Sequence, residues 1–315
     1  MTTDEDPIAV ARTRVGRFLR ASFDDVATDD EGNFQIRHRG VLTRVAVVPW
    51  KARIGVVALA ESNASMRVDD DLTLLLATEG KRLPFGQFEL RGGGLDTKLW
   101  IAHDMLEPHL TRLELETVVD SIGRASTRYG AAIHEWRGGR RPDALDAGPA
   151  ASEVDDQLDE PDDEGDDAPA AGAHERVRAL RFKIEACLEE LDTPFAVDGE
   201  GDVLIERPTR DALVWLRPVP WSRGRTLVQV WAVTNEGMTV DGELTRYLVD
   251  TNAGLGFGGF RLDLHGPQTI VGSSLLGETL SSGALGNVVE CVSETAEEHG
   301  PEIVDRFGGR LFSAP

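Results

Sequence analysis

From Ile8 to Trp136 the apolar positions change period in a fixed order. Between Ile8 and Phe23 they recur near helical spacing, at Val15, Phe18 and Leu19. Asp29-Asp30-Glu31-Gly32 then reads as a turn. Phe34 to His38 alternates as a strand, and Val41 to Val48 is a second strand after Gly40. Ile54 to Ala60 is a third, beyond the turn Pro49-Trp50-Lys51-Ala52. Asp69-Asp70-Asp71 is placed to cap a helix carrying Leu72, Leu75 and Leu76. Phe85 to Arg91 and Leu95 to Ala102 are two more strands, joined by Gly92-Gly93-Gly94, where positive φ is freely adopted. Leu110 to Trp136 is a long helix with the stripe Leu115, Val118, Val119, Ile122, Ala125 and Ile133. The order is α-β-β-β-α-β-β-α.

The same order returns further on. Leu180, Ile184, Leu188 and Leu191 mark a helix face, and Val203–Glu206, Ala212–Arg217 and Leu227–Val233 are strands. Leu244 to Val249 is a helix, Phe260–Leu264 and Thr269–Val271 are strands, and Leu285 to Val304 is a last helix. Local sequence repeats with it. Val48-Pro49-Trp50 returns as Val219-Pro220-Trp221, and Phe85-Gly86-Gln87-Phe88 as Phe257-Gly258-Gly259-Phe260. Val118-Val119 returns as Val288-Val289, and Gly138-Gly139-Arg140 as Gly308-Gly309-Arg310. All these marks keep their order at a nearly constant separation, which identifies an internal duplication. Consecutive strands followed by helices predict an α+β fold, two tandem copies of one domain with an antiparallel sheet and helices on one side.

Charge sets the boundary between the copies. The 315-residue chain has a formal net charge of -22, but residues 1–140 carry only -2 of it. Residues 141–173 carry -11 in a run of Asp, Glu, Ala, Pro and Gly that offers almost nothing to a core. This run is predicted to be a disordered acidic linker between domains at 8–140 and 174–311. So acidic a chain is a poor match for nucleic acid or an anionic membrane. Met1-Thr-Thr-Asp-Glu-Asp-Pro has neither a basic nor an apolar leader segment, and the expected location is the cytoplasm.

Residues for chemistry are sparse. Gly254-Leu-Gly256-Phe-Gly258-Gly259 matches a dinucleotide-binding pattern literally, yet it follows a helix and precedes a strand, the reverse of what that pattern requires. It is read as a tight helix-to-strand loop. None of the seven histidines makes a metal motif, and His103, Asp104 and His109 have only Ser273 as a counterpart in the second copy. The histidines are read as surface groups, with a metal site as the other reading. No local nucleophile, base and orienting group are recognisable, and Cys187 and Cys291 read as core thiols. No catalytic residue, cofactor or metal is expected.

The two copies share aromatic marks instead. Trp50 and Trp221 sit beside proline in matched turns, and Phe85 and Phe88 match Phe257 and Phe260. These six are the candidate contacts for a peptide or partner protein, with ordinary packing as the other reading.

The element order, the acidic-Gly turns (Asp29–Gly32, Asp198–Gly201), the Val-Pro-Trp turns, the Phe-Gly-x-Phe segments and the long last helix resemble the actinobacterial peptide-binding chaperones related to YbjN and to the type III secretion chaperones. The resemblance covers both copies and not the linker. It implies a non-enzymatic chaperone-like protein with a polypeptide client. It also suggests that the two covalently joined domains replace the usual homodimer by an intramolecular pair. A regulatory or scaffolding role towards one folded partner is the alternative, and an enzyme with a site scattered along the chain is a third reading.

Overall fold

The computed structural model describes residues 6–137, 172–205 and 212–312. The first of these stretches holds α1 (Pro7–Ser22), β1 (Val26–Thr28), β2 (Phe34–His38), β3 (Val41–Trp50), β4 (Arg53–Ala64), α2 (Asp70–Glu79), β5 (Gln87–Arg91), β6 (Lys98–Glu107) and α3 (Arg112–Arg137). The remainder holds α4 (Ala173–Glu190), β7 (Phe195–Val197), β8 (Val203–Ile205), β9 (Val214–Pro220), β10 (Thr226–Glu236), α5 (Gly242–Leu255), β11 (Gly259–Asp263), β12 (Gln268–Leu276), α6 (Ser282–Phe307) and β13 (Arg310–Leu311). The acidic run predicted as a linker lies outside the described residues, apart from Gly172 and Ala173, the latter opening α4.

Each half is an α+β unit with one antiparallel sheet. The strand orders are β1-β2-β3-β4-β6-β5 and β7-β8-β9-β10-β12-β11, with β13 added beside β10. β1 and β7 were not expected, because three residues with only Val26 or Phe195 half-buried give no alternation to read. β3 also runs further than predicted. Trp50 is its last residue, paired with Arg53, and the turn shrinks to Lys51-Ala52.

Local chemistry repeats with the fold. Asp29 Oδ1 accepts from the amides of Glu31 and Asn33, and Asp198 Oδ1 accepts from those of Glu200 and Asp202, so both acidic turns close on their own aspartate. Asp69 caps α2 by accepting from Leu72 N, and Asp241 caps α5 by accepting from Leu244 N. β4 bulges between Glu61 and Asn63, β10 between Val233 and Asn235. Gly130 lets α3 approach at the first bulge, since a Cβ there would collide with Ser62 O. At the second, Asn235 Nδ2 donates to Gly300 O of α6 at 2.8 Å. Helices cover one face of each sheet: α1 and α3 the Thr43, Val45 and Val47 side, α4 and α6 the Val214 and Leu216 side.

The halves meet through α2 against α5 and through the edge strands β5 and β11. Counterparts in the duplication touch one another there. Thr73 and Thr245 share a hydrogen bond of 2.8 Å between hydroxyls. Gly259 lies against Gln87, where a Cβ would collide with the Gln87 Cβ, and Gly242 lies against the Asp70 carboxyl. All three pairs have the same separation in sequence. Residues that touch their own counterparts lie on a local two-fold axis. Asn252 stitches the edges together. Its Nδ2 donates to Phe88 O and Phe260 O, both at 3.2 Å, and its Oδ1 accepts from Phe260 N.

Candidate polypeptide-binding surface

The six aromatic residues singled out by sequence all lie in or beside this contact. The Trp50 ring packs on Phe257 of the other half, with centroids 5.8 Å apart, and its Nε1 donates to Leu255 O at 3.3 Å. Reciprocally, Trp221 packs edge-on against Phe85 at 5.3 Å. The turns carrying them reach further: Arg53 bonds Glu290 of α6, Lys51 bonds Glu294, and Arg225 Nη1 donates to Thr117 Oγ1 of α3 at 2.5 Å. Phe88 and Phe260 each turn inwards onto their own last helix, against Tyr129 and His299. All four phenylalanines are buried and both tryptophans half-buried. A turn at the end of a hairpin is exposed in one half alone. It is covered here because the partner half supplies the other wall. Trp50, Trp221, Phe85 and Phe257 therefore pack across the two halves, and Phe88 and Phe260 pack within their own.

The surface reading of His103 is corrected. His103 is buried on β6, with Nδ1 accepting from Gly86 N at 3.0 Å and the ring edge-on to Phe85. Burial, then the positive charge of Arg261, push its pKa down to about 3, so it is neutral. His103, Asp104, His109, Glu114, Ser273 and Ser274 line a cavity between the halves. Its volume is about 20 Å³, which holds a water molecule and no substrate. Burial raises the carboxyls of Asp104 and Glu114 to about 7; Asp104 also feels Glu89. Gln87 Nε2 donates to Asp104 at 3.2 Å and to Glu89 at 3.3 Å. Among the described residues no group of three or more His, Cys, Asp or Glu is arranged to hold a metal ion.

Cys187 and Cys291 are free, buried thiols on α4 and α6. Burial pushes Cys291 up to about 12 and raises Cys187. Both are therefore expected to resist a thiol reagent at pH 8 until the chain is unfolded. Labelling the native protein and its denatured form, with mass detection, checks this; rapid native labelling of Cys291 contradicts the packing.

What remains accessible is the sheet face that the helices leave uncovered. In the N-terminal half it presents Leu42, Ala46 and Val48 of β3 beside Val57 and Leu59 of β4, all half-buried. Val57 opposes Ala46 and Leu59 opposes Arg44 in the ladder. Trp100, itself buried, points to the same face beneath Arg44 and Lys98, which lie 5.5 and 5.9 Å from its ring. In the C-terminal half Trp215 and Trp231 are register partners and stack at 6.3 Å, with Arg217 over Trp231 at 5.4 Å and Val219 alongside. Sequence reading passes over these residues. The signal is there in Ile54 to Ala60 and Leu227 to Val233, where both phases of the strand are apolar or aromatic although a helix covers only one face.

The family described as T3SS (YopN, CesT) and YbjN peptide-binding chaperone 1 matches residues 178–315, the C-terminal half. A comparison with curated proteins finds no match. Among the described residues no helix is long and apolar enough to cross a membrane.

Proposed function

On the premise that residues 178–315 match that family of peptide-binding chaperones, we propose that the chain holds an extended polypeptide without acting on it chemically. The supporting observation is the uncovered, half-apolar sheet face in each half, carrying Val57 and Leu59 on one side of the axis and Trp215 and Trp231 on the other. An extended segment presents side chains with the same two-residue period as the strands beneath it. Arg44, exposed over the Trp100 ring, offers a partner to carboxylates and carbonyls of the client, while Lys98 and Arg217 over Trp100 and Trp231 are held by Glu61 and Asp202. The N-terminal half repeats the matched half in element order and local chemistry. We therefore assign two domains of one kind, at 8–140 and 174–311, whose reciprocal contact stands in for a homodimer.

The client is a polypeptide, and a permanently unfolded, carboxymethylated protein is a suitable probe. A chain with Val57→Asp and Leu59→Asp is expected to bind it at least tenfold more weakly, about 1.4 kcal/mol, because charge replaces burial on the face that receives it. Circular dichroism is expected to be unchanged, since both side chains point away from the helices. Undiminished binding by the folded variant would exclude this face.

A further inference from the structure

β10 is longer than the strand beside it. Its pairing with β9 ends at Trp231 and Trp215, which leaves Thr234–Glu236 without β9 on that side. The chain fills this gap with its own residues. After α6, Gly308 and Gly309 adopt φ of 74° and 79°, a region that favours glycine, and reverse the chain direction. Arg310 and Leu311 then pair antiparallel with Glu236 and Asn235, and Phe312 N donates to Thr234 O at 3.0 Å.

Each side chain of this short strand finds a different surface. Arg310 Nη2 lies 2.7 Å from Glu236 Oε1. Leu311 lies over Gly300 of α6, its Cδ2 3.0 Å from where a Cβ would be. Phe312 stands edge-on to Trp215, with centroids 5.5 Å apart. The hold is slight, because only two residues are paired and both are exposed.

We infer that the edge of β10 beyond the end of β9 is a strand-acceptor slot for an extended polypeptide of basic, aliphatic, aromatic pattern, and that residues 310–312 are its displaceable occupant. This deepens the proposed function and rests on it for the client being a polypeptide. Main-chain bonds to Thr234–Glu236 supply the hold, while Glu236, Gly300 and Trp215 read three successive side chains. Trp215 belongs both to the slot and to the uncovered face, so a client strand seated here continues onto that face. The tether keeps the resident segment at high effective concentration, on the order of millimolar for a short flexible link, and a client must outcompete it.

The probe is the labelled peptide Gly-Gly-Arg-Leu-Phe, matching residues 308–312, beside its scrambled form. Fluorescence anisotropy is expected to show at least tenfold tighter binding to a chain ending at Phe307 than to the full chain. Glu236→Lys in the shortened chain is expected to abolish that gain, and a peptide with Glu in place of Arg is expected to restore it. Equal binding to both chains, or equal binding of the scrambled peptide, would overturn the inference. If circular dichroism shows the shortened chain unfolded, the full chain with Arg310→Glu and Phe312→Ala loosens the occupant instead, and the same comparison decides. Failure of the peptide with retained capture of the carboxymethylated protein rejects the slot alone; failure of both rejects the polypeptide-holding function as well.

Discussion

A chain carrying Trp50→Ala and Trp221→Ala is expected to be less stable than the parent by about 5–7 kcal/mol, with each single change giving roughly half. Full truncation of a buried tryptophan costs about 3–5 kcal/mol, and half-burial reduces that to about 2. Loss of each aromatic pair, Trp50 with Phe257 and Trp221 with Phe85, adds about 0.5–1.5 kcal/mol. The rings sit in separate, symmetry-related contacts, so their effects should add. The loss falls on the contact between halves and not on either core, since Val45, Val56, Val230 and Ala232 are untouched. Urea unfolding followed by circular dichroism measures it, and the halves are expected to unfold in two steps once the contact is weakened. An unchanged midpoint would place both rings outside the interface.

The second large effect is on pH. Asp104 and Glu114 have folded-state values raised from ordinary carboxylate values to about 7, by burial above all. A raised carboxyl means that the folded chain holds a proton that the unfolded chain releases. Their contribution is therefore intact below about pH 4, declines as pH rises, and levels off above about pH 7. Raising the Asp104 carboxyl from its ordinary value to about 7 corresponds to about 4 kcal/mol. Asp104→Asn keeps the size and the hydrogen bonding to Gln87 while removing the ionisation. The variant is expected to gain about 2–4 kcal/mol on the parent between pH 4 and pH 8, read from urea midpoints across that range. Parallel pH profiles for parent and variant would show that Asp104 is solvated and that the contact between halves is open there.

The repeated turns and caps were legible because they have local causes. An aspartate closing its own turn, a capped helix and a Val-Pro-Trp hairpin leave short sequence signatures, and both copies keep them. The long helices were legible by period, and α3 and α6 fall within a few residues of expectation. The pairing of the halves was not. Thr73, Thr245, Gln87 and Gly259 have no signature of their own, and they matter only because a two-fold axis passes between them. The setting of the tryptophans was not legible for a related reason. Beside proline in a turn they read as partner contacts or as ordinary packing, and no local pattern shows that the other half of the chain lies against them. His103 misled because a neutral imidazole accepting from a backbone amide is a core residue with the composition of a surface one. The uncovered faces were readable only as strands apolar in both phases, a pattern shared with strands buried on both sides.

The central claim, that the uncovered sheet faces hold the polypeptide, is tested most directly by methyl resonances within one strand. On adding the carboxymethylated protein to a methyl-labelled chain, Val57 and Leu59 are expected to shift and broaden. Val56 on the helix side of β4, and Val45 on the helix side of the neighbouring β3, are expected to stay in place. Equal shifts on both sides of β4, or shifts confined to the helices, would contradict it.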